Sequence, residues 1–528
     1  MKTNTELNSR AFVLGLDGVP WDLIEEWVGE GELKHFGTVM REGAAGPLTS
    51  TVPATTPLAW PSIATGVRPD KHGIYGFRRL TENYTHQVYT GNDVKQPTLW
   101  EMLSPAIVGN VPMTYPAREI NGTIVAGMMT PQIGEGFTYP PSLSDEITTR
   151  IPDYQIALDW SQYLDSKDEF LPDLNALVQN RRELMRLLMA DDDWRLFFFV
   201  YTAPDRLQHI IWEEDILLEH YRYLDDILGE VMAYVEAHDA TLYIVSDHGF
   251  GPIEKKVAVN RVLANEGLLT QRKQKGVRGT LSKLGITKDG VMGVLSRLGI
   301  DDEMVVDHLP QSVTAQVAKQ IPGAHFLFDV DHSNTTAFVY SFGHVYVNDT
   351  RRFEQGIVDP TEIPAVKRQL RSVFEGLTDP ETGEHVLRVT DGKEEYPTDP
   401  TAPDLIVEPL PRYDIATALS EEIFTPTPMA GNHLPEGIFL AWGSDIAAGS
   451  RPTDATVYDV APTVLHGLSE AIPDNTDGRV LREIFTPESI PATAEIREKA
   501  YAKGEVIATV DEDFSDVENR LRGLGYIE

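Results

Sequence analysis

Three aspartates and three histidines are of the types that bind metal ions, and they occur at four separate places in the chain. They are Asp17, Asp205, His209, Asp247, His248 and His433. Asp205 and His209 are four residues apart, so a helical segment would place both on one face, where they can share a cation. Six such ligands suffice for two metal ions with about three protein ligands each, and that number leaves coordination positions open for a substrate.

A threonine hydroxyl beside these ligands would supply a nucleophile. Thr56 stands between a Pro- and Thr-rich loop and a short apolar run, where we predict the N-cap of a helix whose first position is Pro57. The positive end of a helix favours phosphate-like anions, but a hydroxyl alone needs a base or a metal to attack. Two metal ions roughly 3.5–4 Å apart can hold the attacking and leaving oxygens of a phosphoryl transfer, so we predict that one of them binds the Thr56 oxygen.

Each of these residues also has an ordinary structural interpretation. A threonine before proline usually caps a helix, Asp17-Gly18 after a strand usually forms a turn, and His433 alone is an ordinary loop histidine. For His72 we expect a hydrogen bond that fixes the loop behind the threonine, with a ligand role as the alternative. The structural interpretations are weak jointly, because four separate segments would have to carry metal ligands by accident.

Short apolar runs lead into the three aspartates. The runs, with the acids that follow, are 11–16 with Asp17, 195–201 with Asp205 and 241–246 with Asp247. Continuous apolar runs of this length are typical of buried parallel strands, and here they alternate with segments of helical spacing. We therefore predict an α/β fold, with a mostly parallel central sheet flanked by helices on both faces. Working groups gather beyond the carboxyl ends of the strands in such sheets.

The predicted catalytic core is interrupted by an insertion. We assign its first part to 8–262, the insertion to 263–333, its second part to 334–490 and a peripheral C-terminal tail to 491–528. The insertion contains the only locally basic run, at 271–278, followed by short amphipathic helices. We interpret it as a helical cap over the site, with a solvated helical excursion as the alternative.

The composition excludes several classes of function. The 528 residues include 81 acidic and 45 basic side chains, a formal charge of −36, which repels nucleic acids and anionic membranes. The absence of cysteine excludes disulfides, thiolate metal sites and cysteine nucleophiles. The first ten residues lack an apolar signal core and no apolar run is long enough to span a bilayer, so we expect a cytoplasmic protein.

Five motifs, in order along the chain, resemble the alkaline phosphatase superfamily, and within it the type I phosphodiesterase/nucleotide pyrophosphatase family. They are Leu14–Gly18, Thr56–Gly66 with Pro69–Ile74, Pro204–His209, Ser246–Phe250 and His433–Gly437. The similarity spans about Ala11 to Phe485. It implies an alkaline phosphatase-like α/β fold with two Zn²⁺ ions, and a covalent phospho-threonine intermediate in the hydrolysis of phosphodiester or nucleotide-pyrophosphate substrates.

The resemblance also divides the ligands into two sets. It implies one zinc held by Asp17, Asp247, His248 and the Thr56 oxygen, and another held by Asp205, His209 and His433. Mn²⁺ is possible in place of Zn²⁺, because mixed nitrogen and oxygen sites accept several metals. The implied partner is a small-molecule phosphate ester; neither a nucleic-acid polymer nor a membrane is expected, and the oligomeric state is left open.

Two features depart from the family pattern. The family usually places an asparagine that helps hold the phosphate where this chain has Phe77, so oxyanion stabilisation would fall to the metals, to backbone N–H groups or to another side chain. The Thr-Thr pair leaves the register of the nucleophile open. Counting back from Ser62 favours Thr56, whereas a Thr-x-Pro pattern favours Thr55; we choose Thr56.

Other activities on the same scaffold therefore stay open. They are those of a phosphomonoesterase, a phosphonate hydrolase and a phosphomutase-type transferase. A sulfatase is disfavoured, because the chain lacks the Cys/Ser-x-Pro-x-Arg pattern of the modified nucleophile. A non-catalytic binding protein that retains the fold is the alternative of another class, and the complete ligand set argues against it.

The acidic, halophile-like composition predicts that stability depends on salt. Repulsion among surface carboxylates opposes folding, and its range shrinks from about 10 Å at 0.1 M salt to about 3 Å at 1 M. We expect the free energy of unfolding, measured by urea denaturation at constant pH, to rise as KCl is increased from ~0.1 to ~1 M. A free energy that stays constant or falls would contradict this interpretation of the surface.

Overall fold

The computed structural model describes residues 9–158, 163, 167–272, 326–504 and 514–523. The strands are β1 (Arg10–Leu16), β2 (Ala44–Thr49), β3 (Arg78–Leu80), β4 (His86–Val88), β5 (Ala106–Val111), β6 (Gly122–Ala126), β7 (Thr138–Tyr139), β8 (Leu196–Tyr201), β9 (Ala240–Val245), β10 (Gly249–Ala258), β11 (Ala337–Tyr340), β12 (His344–Val347), β13 (Leu387–Asp391), β14 (Leu405–Pro409), β15 (Arg412–Ala416), β16 (Phe424–Pro426), β17 (Gly431–Leu434), β18 (Glu436–Trp442), β19 (Ile472–Pro473) and β20 (Glu498–Lys499).

Helices connect these strands. The α-helices are α1 (Trp21–Gly29), α2 (Lys34–Glu42), α3 (Thr56–Thr65), α4 (Pro69–His72), α5 (Leu99–Met102), α6 (Ser142–Arg150), α7 (Lys167–Leu188), α8 (Ala203–Ile210), α9 (Glu214–Ala237), α10 (Val259–Asn265), α11 (Ile363–Glu375), α12 (Gly392–Glu395), α13 (Val460–Gly467), α14 (Ile490–Thr493) and α15 (Ser515–Gly523). Short 3₁₀ turns occupy Gly91–Asp93, Phe326–Asp329, His332–Asn334, Ser341–Gly343, Val457–Asp459 and Arg482–Ile484.

A sheet of eight strands forms the centre of the molecule. Its strand order is β2-β18-β9-β1-β8-β5-β6-β7. Strands β9, β1, β8, β5 and β6 are parallel neighbours, whereas β18 runs antiparallel to β2 and β9, and β7 runs antiparallel to β6. The predicted α/β fold with a mostly parallel central sheet is confirmed.

Both faces of this sheet are buried, as its continuous apolar strands predict. Along β1, Phe12 and Leu14 belong to one apolar cluster, while Val13 between them belongs to another. The apolar cluster that contains Phe12 also contains side chains of α1, α2, α7 and α9. The apolar cluster that contains Val13 also contains side chains of α3, α5 and α13. Successive strand residues point to opposite faces, so helices must cover the sheet on both sides.

Two smaller sheets lie beside the central one. Strands β11, β12, β14 and β13 form an antiparallel sheet with its own apolar cluster, to which α11 contributes Leu370 and Phe374. Strand β10 pairs in parallel with β15 and antiparallel with β16 and β17. Because β10 begins directly after His248, it extends the carboxyl end of β9 toward these added strands.

The predicted helical cap lies largely outside the described residues. Of the insertion assigned to 263–333, the structure describes 263–272 and 326–333. In the predicted peripheral tail, α15 contributes Val517 and Leu521 to the buried core. No helix in the described part of the chain combines the length and apolar character needed to cross a bilayer, and the expected location stays a prediction.

Strand β1 approaches helix α3 closely at Gly15. An added Cβ at Gly15 would lie 2.4 Å from Cη2 of Trp60 and 2.7 Å from Cγ2 of Val200. The buried Trp60 indole in turn donates from Nε1 to Oδ2 of Asp17 over 3.1 Å. The missing side chain at Gly15 thus allows α3 to pack against the strand that carries this aspartate.

We predict that Gly15→Ala destabilises the fold through this contact. Overpacking of a close-packed interior typically costs about 1–3 kcal/mol, so the free energy of unfolding should fall by that amount in urea denaturation. The control is Gly29→Ala, because no atom lies within 4 Å of a Cβ added at that glycine. Equal stability of the two variants would show that Trp60 moves aside without cost.

Candidate active site

Three neighbouring strands end side by side and bring the predicted aspartates together. Asp17 follows β1, Asp247 follows β9, and Asp205 lies in α8, which begins two residues after β8. Strand β1 lies between the other two, and their parallel registers keep the carboxyl ends level. This is the edge at which α/β sheets collect their working groups.

The first cluster comprises Asp17, Asp247 and His248, whose ligand atoms lie within 4.8 Å of one another. Nε2 of His248 lies 3.2 Å from Oδ2 of Asp247 and 3.7 Å from Oδ1 of Asp17. All three side chains are fully buried. Backbone groups fix their orientation: Gly18 N–H donates to Oδ1 of Asp247 over 3.1 Å.

The second cluster comprises Asp205, His209 and His433, again with ligand atoms within 4.8 Å of one another. Helix α8 places Asp205 and His209 one turn apart, and Oδ1 of Asp205 lies 3.6 Å from Nε2 of His209 and 3.1 Å from Nε2 of His433. The prediction of a loop at His433 was wrong. It lies in β17, whose antiparallel ladder with β10 sets it opposite Phe250.

The two clusters adjoin. Nε2 of His248 lies 3.9 Å from Oδ1 of Asp205. The rings of His248 and His433 stack with centroids 3.8 Å apart and planes at 22°. All six residues predicted as ligands therefore meet in one place, although they come from four separate segments.

The three imidazoles share one tautomer. Each Nδ1 lies at hydrogen-bonding distance from a backbone carbonyl oxygen, which can only accept, so Nδ1 carries the proton and Nε2 presents a lone pair. The pairs are His209 with Gly431 (3.1 Å), His248 with Gly249 (3.0 Å) and His433 with Ala54 (3.1 Å). Metal-binding histidines are commonly oriented in this way.

Burial lowers the pKa of His209 to about 3 and that of His248 well below its usual value, so both are neutral ligands at neutral pH.

The carboxylates repel one another at this depth. Burial, with repulsion from Asp205, raises the pKa of Asp17 well above its usual value. Burial and repulsion from Asp17 and Asp205 do the same for the pKa of Asp247. Burial also acts to raise the pKa of Asp205, but His209 and Arg206 outweigh it and hold that pKa well below its usual value. The site thus gathers three carboxyl groups that ionise together only at a cost in free energy unless positive charge lies beside them.

This donor set fits divalent cations. Oδ2 of Asp247 is buried, and no described residue gives it a hydrogen bond. Nε2 of His209 and Nε2 of His433 lie only 3.2 Å apart although both present lone pairs. Buried charge and facing acceptors cost free energy unless a cation binds between them, and mixed carboxylate and imidazole ligands suit zinc or manganese.

The predicted nucleophile lies against the first cluster. Oγ1 of Thr56 is 3.4 Å from Oδ1 of Asp17 and 3.3 Å from Nε2 of His248. The predicted N-cap was wrong by one residue: Thr55 is the N-cap, and Thr56 is the first residue of α3, with Pro57 next. Oγ1 of Thr55 is buried without a hydrogen-bond partner, and this residue lines a neighbouring cavity instead.

The expected role of His72 is confirmed. Its Nδ1 accepts from the backbone N–H of Ile74 over 3.2 Å, so its Nε2–H donates to Oγ of Ser62, 3.0 Å away in α3. Burial lowers the pKa of His72 to about 3, which keeps the ring neutral in this role. The hydrogen bonds join α3 to the loop that follows α4.

Sequence analysis missed two residues that support the carboxylates. Trp60 donates to Asp17, as described above, and Nη1 of Arg206 lies 2.7 Å from Oδ2 of Asp205. Each lies within a motif that was noticed, Trp60 four residues after Thr56 and Arg206 directly after Asp205. Buried carboxylates require hydrogen-bond donors, and a tryptophan N–H and an arginine are such donors. The presence of these two residue types next to the predicted ligands was the sequence signal for their role.

A cavity of about 250 Å³ opens beside the second cluster. His209, His433 and Thr55 line it, together with Tyr340, the last residue of β11, and Phe342 in the 3₁₀ turn that follows. Phe77, at the position where asparagine was expected, is fully buried, with its ring centroid 6.0 Å from that of Phe342. The wall of the cavity is therefore backed by an apolar side chain at that position.

Most of the chain, residues 11–433, matches the type I phosphodiesterase/nucleotide pyrophosphatase family. The chain belongs to this family. Membership supports a hydrolase of phosphodiesters or nucleotide pyrophosphates and implies divalent metal ions, for which the two clusters are the candidate sites. A search of curated proteins found no match.

One solved structure, that of a murine protein, shows the same fold. Murine ectonucleotide pyrophosphatase/phosphodiesterase 5, an inactive variant in complex with AMP, is 12% identical with a TM-score of 0.50 over 90% of this chain and 100% of that chain. The human protein of the same name is also 12% identical, with a TM-score of 0.49 over 90% of this chain and 100% of that chain. The alkaline phosphatase-like fold expected from the sequence is confirmed by the murine structure.

Proposed function

We propose that the protein hydrolyses small-molecule phosphodiesters or nucleotide pyrophosphates at two divalent metal ions, through a covalent phospho-threonine intermediate on Thr56. The observation that carries the proposal is the position of the Thr56 hydroxyl, 3.4 Å from Asp17 and 3.3 Å from His248. Packing alone gives no reason for a helix to begin with a hydroxyl against two buried polar groups.

The proposed ligands follow the two clusters. Asp17, Asp247 and His248, with the Thr56 oxygen, hold one ion, and Asp205, His209 and His433 hold the other. Bound ions would supply positive charge at the phosphoryl oxygens and would favour loss of the threonine proton at neutral pH. We favour Zn²⁺, with Mn²⁺ as the alternative, because nitrogen ligands are half of the set.

The reaction takes place in two steps. The Thr56 oxygen, having lost its proton to solvent, forms a bond to phosphorus while the bond to the leaving oxygen breaks, and that oxygen keeps the electron pair and takes a proton from water. A water oxygen then attacks phosphorus and releases Thr56. Trp60 orients Asp17 throughout, and the carbonyl-bonded imidazoles keep their lone pairs directed at the site.

The murine relative supports this reading. Its structure is of an inactive variant in which a threonine is replaced by alanine, and it holds AMP. A threonine nucleophile and a nucleotide ligand are what we propose here. The other reactions on the scaffold, those of a phosphomonoesterase, phosphonate hydrolase or phosphomutase, stay as alternatives because Phe77 cannot donate to a phosphate oxygen.

We predict that Thr56→Ala lowers the rate of hydrolysis of bis(p-nitrophenyl) phosphate by several orders of magnitude, because the covalent route is lost. Thr56→Ser keeps a hydroxyl and should retain activity, and Thr55→Ala should retain it because that hydroxyl lies away from the first cluster. Near-normal rates for Thr56→Ala, or loss in Thr55→Ala instead, would overturn the assignment. Monoester and phosphonate substrates assayed in parallel would distinguish the alternative reactions.

We predict two tightly bound ions per chain after reconstitution with zinc or manganese, measured by elemental analysis. His248→Ala should lose the ion of the first cluster and His433→Ala that of the second, so each variant should retain one. The control is the exposed His385→Ala, which should retain both. A folded wild-type protein that binds no metal would support the non-catalytic binding protein instead.

A further inference from the structure

The cavity beside the second cluster contains an unusual distribution of charge. Among the described residues, three cationic side chains line it, and two of them have carboxylate partners in the same lining. The pairs are Lys256 with Asp414 (3.4 Å) and Arg388 with Glu408 (3.2 Å). The third cation is Arg78, so the lining carries one positive charge more than its carboxylates balance.

Arg78 is buried and forms no direct ion pair among the described residues. Its side chain is among the charged groups of the interior, with 5% of the residue exposed. In the described part of the chain its Nε has no hydrogen-bond partner, and Nη1 lies 3.3 Å from Nε2 of His86, which itself lies 3.0 Å from Oε1 of Glu518. Among the described residues no carboxylate lies within ion-pairing distance of this guanidinium. A buried guanidinium in that condition costs free energy that a bound anion would recover.

A second unpartnered donor lines the same cavity. The hydroxyl of Tyr340, at the end of β11, is buried and has no hydrogen-bond partner in the part of the chain that the structure describes, and the residue is 3% exposed. Burial raises the pKa of Tyr340 to about 12, so the hydroxyl keeps its proton and can donate. Arg78 and Tyr340 thus offer two donors in one cavity, where buried polar groups are normally satisfied.

The cavity continues the candidate active site away from the nucleophile. His209, His433 and Thr55 belong to its lining, whereas the Thr56 hydroxyl faces the first cluster. A phosphoryl group that reacts at Thr56 would leave the rest of the substrate beside the second cluster. A volume of about 250 Å³ lies below the roughly 300–1,000 Å³ of pockets for drug-sized ligands, so the group held there is compact.

We propose that Arg78 and Tyr340 bind a second anionic group of the substrate, a carboxylate or a phosphate, separate from the phosphoryl group that reacts. The inference rests on the proposed function and specifies the substrate class: compact phosphodiesters or pyrophosphates that carry a second negative charge outside the phosphoryl group that reacts. The guanidinium and the phenol O–H would form charge-assisted hydrogen bonds to that group, and Phe342 would contact its apolar part.

The test compares esters that differ only in the second charge. Ethyl, 2-carboxyethyl and 2-phosphonoethyl p-nitrophenyl phosphate are assayed with the wild type and with Arg78→Met. We expect the substitution to lower kcat/KM for the carboxylate or phosphonate ester about ten- to hundredfold, as for loss of a hydrogen bond to a charged group, and to leave the ethyl ester within about twofold. The two charged esters distinguish a carboxylate site from a phosphate site.

Two further variants make the result decisive. Tyr340→Phe removes only the hydroxyl and should reduce the same charged ester selectively, which keeps the test valid if Arg78→Met fails to fold. Arg79→Met is the matched control, because the neighbouring Arg79 is half exposed, bonds to Gln87 and lies outside the cavity. It should leave all three esters unchanged.

The remaining outcomes overturn the inference. Equal losses on all esters would assign Arg78 to the reacting phosphoryl group or to folding, and no loss on any ester would leave it without a role in binding. A wild type that hydrolyses the ethyl ester but does not prefer either charged ester would also overturn it, while the proposed function would stand. Hydrolysis of none of the three by the metal-loaded protein would overturn the proposed function itself.

Discussion

The arrangement of the site depends on three buried carboxylates held together against their mutual repulsion. Asp17, Asp205 and Asp247 meet because β1, β8 and β9 are adjacent and parallel, so the chain directions leave no other place for their carboxyl ends. Burial, together with repulsion between the carboxylates, raises the pKa of Asp17 and Asp247, a cost that folding alone does not repay. Such a cost is concentrated at this one place in the fold, and a positive charge bound beside the carboxylates would offset it.

The backbone, more than the side chains, determines how the imidazoles face these carboxylates. His209, His248 and His433 are each bonded through Nδ1 to a carbonyl oxygen, and those carbonyls belong to β10, to β17 and to the loop before α3. The β10–β17 ladder therefore does two things at once. It brings His433 from a distant part of the sequence beside His248, and it supplies carbonyl partners that fix the tautomers.

Local sequence predicted the parts of the site that follow strands, and not the parts that depend on distant pairing. Asp17 and Asp247 directly follow apolar runs, so their edge of the sheet could be derived from periodicity and topology. The predictions of a loop at His433 and of an N-cap at Thr56 were wrong by small local margins, because helix ends and short strands are set by tertiary hydrogen bonds. The cavity at Tyr340 had no sequence signal, since it forms where an antiparallel sheet far along the chain meets the loop before α3.

The charge of the whole chain and the charge of the site act over different distances. A formal charge of −36 repels an anionic substrate at long range, yet at 1 M salt that field extends only about 3 Å from exposed groups. Buried groups are screened far less, so Arg78 and any bound cations would keep their full attraction inside the cavity. Salt would therefore remove the unfavourable surface field and leave the favourable local one. An acidic protein can in this way bind anionic esters without a basic surface, provided that its cations lie below the depth that salt ions reach.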